Sequence, residues 1–255
     1  MVDPTRGVLY PARLPDFHRL GAPDPELAAW FWIPEWDIAP GRSSRQDIVA
    51  YPALNLVVEP EGVILAGPTT RVSHRDLRGS GWAVGALLQP AAVAALAEDP
   101  ASLRDRAHPL AEPGLQRDVA AAMASGEGRR ERAVAVLADW LSARAGEIGP
   151  AARQANAMSA LLMSSGIRTP EEAAGRLAVS VRTLQRMAHR YVGLSPAAMI
   201  RRRRLQEAAE RLRSGGGDLA AVAAEFGYAD HAHLSTEFRA VLGFTPSSYR
   251  AATAG

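Results

Sequence analysis

Apolar residues recur along this chain in two different rhythms, and the change comes near residue 112. Before it, the apolar stretches are short: "LAAWFWIPEW" (27–36), "LNLVVEPEG" (54–62), "GVILAG" (62–67) and "GWAVGALL" (81–88), with turn residues between them. Aromatic and β-branched runs bounded by Gly and Pro predict strands. "QPAAVAALAEDP" (89–100) predicts a helix, with Pro90 in its first turn and Pro100 past its end. Beyond 114 the period becomes helical. Val134, Leu137, Trp140 and Leu141 fall on one face at spacings of three, four and seven. "GEGRR" (126–130) separates two such helices, "GEIGP" (146–150) reads as a hinge, and another helix follows over roughly 151–165.

The remainder of the chain repeats itself. Residues 173–200 and 223–250 align without a gap at an offset of 50, pairing Ala173 with Ala223, Ala174 with Ala224, Leu184 with Leu234, Gly193 with Gly243 and Pro196 with Pro246. In the first copy Thr169, Pro170 and Glu172 make a capping box, and Ala173, Ala174 and Leu177 supply a short helix. Ser180 then caps a second helix whose inward stripe is Leu184, Met187, Ala188 and Tyr191. That leaves Arg182, Gln185, Arg186 and His189 outward. In the second copy Asp218 caps the short helix, Gly227, Tyr228 and Ala229 make the turn, and Asp230 caps the next helix. Leu234, Phe238 and Leu242 face inward, leaving His231, Ala232, Ser235, Thr236 and Arg239 outward. Two helices joined by a tight turn, the second polar outside, predict a helix-turn-helix. Between the copies, Met199, Ile200, Leu205, Ala208, Ala209 and Leu212 stripe one long helix ended by Gly215–Gly217. Such a helix can hold two recognition helices about one DNA turn apart, roughly 34 Å.

The expected fold is therefore α+β: a β-rich sensor or oligomerisation domain over 1–112, a helical linker region over 113–149 and a DNA-binding domain over 150–255. Charge supports the division. The 255-residue chain carries +2 overall, yet residues 1–149 hold 15 Arg against 19 acids and residues 150–255 hold 14 Arg against 8. A basic half joined to an acidic one suggests a polyanionic partner for the former. With no cysteine the chain has no disulfide, thiolate metal site or cysteine nucleophile. The start, "MVDPTRGVLYPARLPDF", lacks the basic-then-apolar order of an export signal, and a cytoplasmic, membrane-free protein is expected.

The closing "AAVAAEFGYADHAHLSTEFRAVLGFTPSSYR" and the earlier "SVRTLQRMAHRYVGLSPAAMI" resemble the DNA-binding domain of AraC/XylS-type transcription regulators over about 153–250. The resemblance implies base contacts from Arg182, Gln185 and Arg186 in the first unit and from His231, Ala232, Ser235 and Thr236 in the second. Where that family often places Arg in the second recognition helix, this chain has Thr236 followed by Glu237. A bidentate Arg–guanine pair is worth about 1–3 kcal/mol of discrimination, so the first unit is expected to dominate specificity. Phosphate contacts are expected from His189, Arg201, Arg204 and Arg239. The run Arg201–Arg204 has an alternative reading as a solvated face with one Arg packed inward. His231 and His233, two apart on a helix, diverge too far to share a metal.

"YPALNLVV", "LAGPTTR" and "GWAVGALLQPAAVAALAEDPASLRDRAHPLAE" resemble, more loosely, an uncharacterised β-rich domain that precedes such DNA-binding domains in actinobacterial-type regulators. Trp30, Trp32, Tyr51, Asn55 and Trp82 are candidates to line a small-molecule pocket there, the alternative being plain core. No cofactor is expected. Expected partners are double-stranded DNA, a small-molecule effector and RNA polymerase, with the chain a monomer or homodimer. The competing class is an enzyme that uses the helix-turn-helix half for targeting. Alkyl transfer of that kind needs a thiolate, and His18, His74 and His108 lie in no catalytic pattern.

Overall fold

The computed structural model describes residues 16–48, 51–215 and 218–253. The stretch before residue 16 that was read for an export signal lies outside them, as do Gly216 and Gly217. The front part runs β1 (Asp16–Gly21), β2 (Ala28–Asp37), β3 (Ser44–Ile48), β4 (Asn55–Glu59), β5 (Gly62–Ala66), β6 (Ser73–Leu77), β7 (Ser80–Trp82), β8 (Val84–Leu88), α1 (Pro90–Leu96), a 3₁₀ turn at Pro100–Leu103 and β9 (Ala107–Leu110). Helices follow: α2 (Pro113–Met123), α3 (Arg129–Ala145), α4 (Pro150–Leu162), α5 (Pro170–Arg176), α6 (Val181–Val192), α7 (Pro196–Arg213), α8 (Leu219–Glu225), α9 (His231–Leu242) and α10 (Pro246–Thr253). The α+β expectation holds.

The main sheet is antiparallel in the order β1-β2-β8-β4-β5-β9, with β7 beside β2, while β3 and β6 form a separate pair. Strand alternation sends Phe31, Ile33, Leu56, Val63, Leu65 and Ala86 to one face, where α1, α2 and α3 cover them. Val119, Leu137 and Leu141 from those helices are fully buried in this core. Each such side chain contributes about 1.5–3 kcal/mol. Helices α2 and α3, expected as a linker region, therefore complete the front core. The "GEIGP" segment is likewise no free hinge, because Ile148 is buried in that core.

The opposite face carries Trp30, Trp32, Asn55 and Val57. Direct cross-strand partners share a face, and Trp30 and Asn55 both oppose Leu87, while Trp32 and Val57 both oppose Gly85. Trp32 lies so close over Gly85 that a Cβ there would sit 2.1 Å from the indole. Its Nε1 donates to Asn55 Oδ1 at 3.1 Å, and Tyr51 stands edge-on to Trp30 at 4.7 Å. Trp82 does not join them. It opposes Glu35, which shares a face with Phe31 and Ile33, and it packs on the helix-covered core. Of the five residues expected to share a site, Trp82 therefore stands apart from Trp30, Trp32, Tyr51 and Asn55.

The back part has two small cores strung on α7. Met199 and Ile200 belong to the first with Met158, Leu162, Ala173, Leu184 and Tyr191. Leu205, Ala208, Ala209 and Leu212 belong to the second with Ala223, Leu234, Phe238 and Tyr249. The long helix is thus shared, one end in each unit.

Candidate nucleic-acid interface

Each unit is fixed by local hydrogen bonds that the sequence prescribes. Thr169 Oγ1 accepts from Glu172 N at 3.2 Å, while the Glu172 carboxylate reaches back to Arg168 N at 2.7 Å. That backbone hydrogen bond holds the Glu172 carboxyl below the usual range. Ser180 Oγ accepts from Thr183 N at 3.1 Å, Asp218 Oδ1 from Ala221 N at 2.7 Å, and Asp230 Oδ1 from His233 N at 2.7 Å. Gly193 and Gly243 end α6 and α9 at φ 78° and 81°, where a side chain is strained. The "GFTPSSYR" ending then makes packing sense. Thr245 Oγ1 accepts from Ser248 N at 3.2 Å, Pro246 opens α10, and Phe244 and Tyr249 stack under Phe238 with centroids 5.7–5.9 Å apart.

The ungapped repeat needs one correction. The caps Thr169 and Asp218, the buried pairs Ala173–Ala174 and Val222–Ala223, and the turn bonds Val179 N to Ala174 O and Tyr228 N to Ala223 O are all 49 apart. From Ser180 and Asp230 onward the offset is 50. The second turn holds one additional residue. The matching of Ala173 with Ala223 at 50 was a coincidence of an alanine-rich helix. The left-handed turn position is Gly227 at φ 71° in the second unit and Ala178 at φ 52° in the first.

The two second helices present the faces expected of them. Arg182, Gln185, Arg186 and His189 are exposed on α6, opposite buried Leu184, Ala188 and Tyr191. His231, Ala232, Thr236 and Arg239 are exposed on α9 and Ser235 is half-buried, opposite Leu234, Phe238 and Leu242. An open cleft of about 410 Å³ between the units is lined by Arg168, Ser195, Arg201, Arg204, His233 and Glu237.

The four consecutive arginines divide by side of the helix, more sharply than either sequence reading allowed. Arg201 is exposed at the cleft. Arg202 and Arg203 are 5% and 2% exposed. Arg203 donates to the carbonyls of Leu162, Ser164 and Ile167, tying off the end of α4 and the approach to α5. Arg202 points to the front domain. Arg204, expected on a phosphate, is an internal brace: its Nε and Nη2 donate to the carbonyls of Phe226 and Gly227, each at 2.7 Å, and its guanidinium lies 4.3 Å from the Tyr228 ring. Tyr228 in turn donates to Glu237 at 3.1 Å. Burial pushes both this hydroxyl and the Glu237 carboxyl above their ordinary values. Glu237 therefore turns away from the α9 outer face. The one signal for this network in the sequence was a tyrosine immediately after the turn glycine.

Comparison with known proteins agrees with this geometry. Residues 173–252 match a family described as a helix-turn-helix domain, and residues 21–109 match a domain of unknown function. An HTH-type transcriptional activator RhaS of Escherichia fergusonii is 38% identical over 80 residues, 31% of this chain and 29% of that protein. A putative AraC-like transcription regulator of Streptomyces antibioticus is 39% identical over 82 residues, 32% of this chain and 27% of that one. The chain thus matches less than a third of either relative's length. The solved C-terminal domain of AraT from Geobacillus stearothermophilus aligns at 28% identity over 42% of this chain and 88% of its own, with a TM-score of 0.35. ToxT from Vibrio cholerae aligns at 13% identity over 94% and 97%, with a TM-score of 0.41. Among the described residues no helix is long and apolar enough to cross a membrane. Over residues 173–252 this chain is thus similar to helix-turn-helix domains, built here as two capped units on one shared helix.

Proposed function

We propose that the whole chain is a sequence-specific, non-enzymatic transcription regulator acting on duplex DNA in the cytoplasm. The observation that carries it is the pair of capped helices, each with an exposed polar outer face, set on the two ends of α7. In this reading Arg182, Gln185 and Arg186 contact base edges in one major groove, and His231, Ala232, Ser235 and Thr236 those in the next. His189, Arg201 and Arg239 neutralise phosphates and give affinity a salt dependence. Arg204 is left out of this set, because its Nε and Nη2 are already engaged by the Phe226 and Gly227 carbonyls. The face bearing Trp30, Trp32, Tyr51 and Asn55 takes a flat apolar effector, with the Asn55 amide as its polar handle. Nothing in the chain favours the alkyl-transfer alternative, which needs a cysteine that the sequence lacks. The experiment is a gel-shift titration of variants on a selected site. Arg186→Ala should weaken specific binding by at least about fivefold, the low end of a lost bidentate pair, and Thr236→Ala by less. Equal losses would overturn the ranking of the two units, and no loss from Arg186→Ala would remove α6 from the interface.

A further inference from the structure

The front domain grips both helix-turn-helix units, by separate sets of contacts. On the first, Asn156 of α4 accepts from Ala91 N at 2.9 Å and donates to Glu26 O at 2.8 Å. Arg104 donates to Gly193 O at 2.9 Å, and the Pro100 carbonyl comes so close to Gly193 that a Cβ there would meet it at 2.6 Å. On the second, contact is made by residues 67–72, the segment that joins β5 to β6. Val72 N donates to Val241 O at 2.8 Å near the end of α9, and the Val72 side chain packs on the core of the second unit.

That segment is held on both sides. On the front-domain side Asp105 accepts from Thr70 N and Thr70 Oγ1, both at 2.6 Å, and donates its own N–H to Pro68 O at 3.1 Å. On the DNA-binding side Arg202 of α7 donates to the carbonyls of Thr69 and Arg71 and to Thr69 Oγ1. Arg202 is almost wholly buried, so its charge is carried by these acceptors, and burial pulls its pKa down to about 10. Its Nη1 has no partner, and a cavity of about 40 Å³ lined by Thr69, Thr70, Leu194, Ala198, Leu205 and Val241 lies beside it. This is a polar, incompletely filled junction, unlike the close-packed cores on either side.

We propose that Arg202 is a positioning residue, which with segment 67–72 clamps the second unit at a fixed distance and angle from the first, so that the spacing between DNA half-sites is set partly by residues that never touch DNA. α7 already joins the second unit through that unit's own core and the Arg204 bonds. The segment adds an attachment at the end of α9, away from α7, which ties that unit to the front domain as well and restrains any bending of α7 between the two units. The segment also continues directly into β6, whose Arg75 pairs with Glu59 on the tryptophan-bearing face of the sheet. A shift of β6 would therefore be felt at Val241.

The clamp rests on the DNA-reading proposal, and its test separates the two. Full-length protein is titrated on duplexes carrying both half-sites at the selected spacing and with one base pair added or removed, and on the first half-site alone. A one-pair change rotates one groove relative to the other, so the wild type should discriminate by about tenfold or more. Arg202→Ala should compress that ratio to about threefold or less while leaving first-half-site affinity unchanged. Asp105→Gly, which releases the segment from the front-domain side while leaving every side chain of the DNA-binding half in place, should act the same way and carries the test if Arg202→Ala does not fold. Full spacing discrimination in a folded variant, with half-site affinity intact, overturns the clamp alone. A wild type with no half-site preference overturns the DNA-reading proposal and the clamp with it.

Discussion

Arg204→Ala separates two roles that the sequence could not distinguish, a phosphate contact and an internal brace. As a brace, Arg204 makes two charge-assisted hydrogen bonds of 2.7 Å to the turn carbonyls of Phe226 and Gly227 and stacks 4.3 Å from Tyr228. Hydrogen bonds to a charged group contribute about 1.5–3 kcal/mol each and a cation–π contact about 0.5–2 kcal/mol. The guanidinium is only partly buried, and water can reach the Gly227 carbonyl once it is gone. The net loss should therefore be about 2–3 kcal/mol, well below the sum of its parts. Urea unfolding with hydrogen exchange on α8 and α9 reads this directly, and the loss should concentrate in the second unit. Arg204→Lys discriminates further. An ammonium cannot fork to two carbonyls while lying flat on a ring, so Lys should recover little of the stability. The result that refutes the brace is an unchanged unfolding midpoint with a DNA salt slope lower by about one phosphate, restored by Lys.

Two other substitutions follow from backbone and burial. Ala178→Gly should stabilise the protein by about 0.5–1 kcal/mol, because Ala178 is exposed at φ 52° and relief of left-handed strain exceeds the added flexibility of the unfolded chain; a lower thermal midpoint would contradict this. Glu237→Gln tests the buried carboxyl. Burial raises its folded pKa above the unfolded value, so its favourable contribution is complete below the usual carboxylate range and is lost as pH rises through the raised value. The advantage of Gln over Glu in unfolding midpoint should therefore grow as pH rises above the ordinary carboxylate range, and a constant or shrinking difference would refute the assignment.

The parts of this fold that were legible in the sequence are those governed by local rules. The caps at Thr169, Ser180, Asp218 and Asp230, the left-handed glycines and the stripes of α6 and α9 depend on neighbours within a turn or two, and each stands where periodicity placed it. The additional residue in the second turn was hidden because alanine fills both the buried and the exposed positions of α8, so identity could not mark register. β1, β3, β6 and β9 escaped because "DFHRLG", "SRQDI", "SHRDL" and "AHPL" are polar strands that each pair on one side alone and lack a clean apolar alternation. Trp82 was grouped with Trp30 because the face a strand residue occupies is known only once its cross-strand partner is. The fates of Arg202, Arg203 and Arg204 required tertiary structure. Apart from Glu207, one turn along from Arg203, and the Thr69 hydroxyl, their acceptors are backbone carbonyls 22 to 133 residues distant, which carry no side-chain signature.

The central claim is that two unequal helix-turn-helix units read adjacent segments of one duplex. The most direct measurement is selection of bound sequences from a random duplex pool by purified full-length protein, at stated salt. The account predicts a two-part motif with its parts about one helical turn apart, better defined in the half that α6 reads. Recovery of sequences no different from the starting pool, by folded protein, would contradict it.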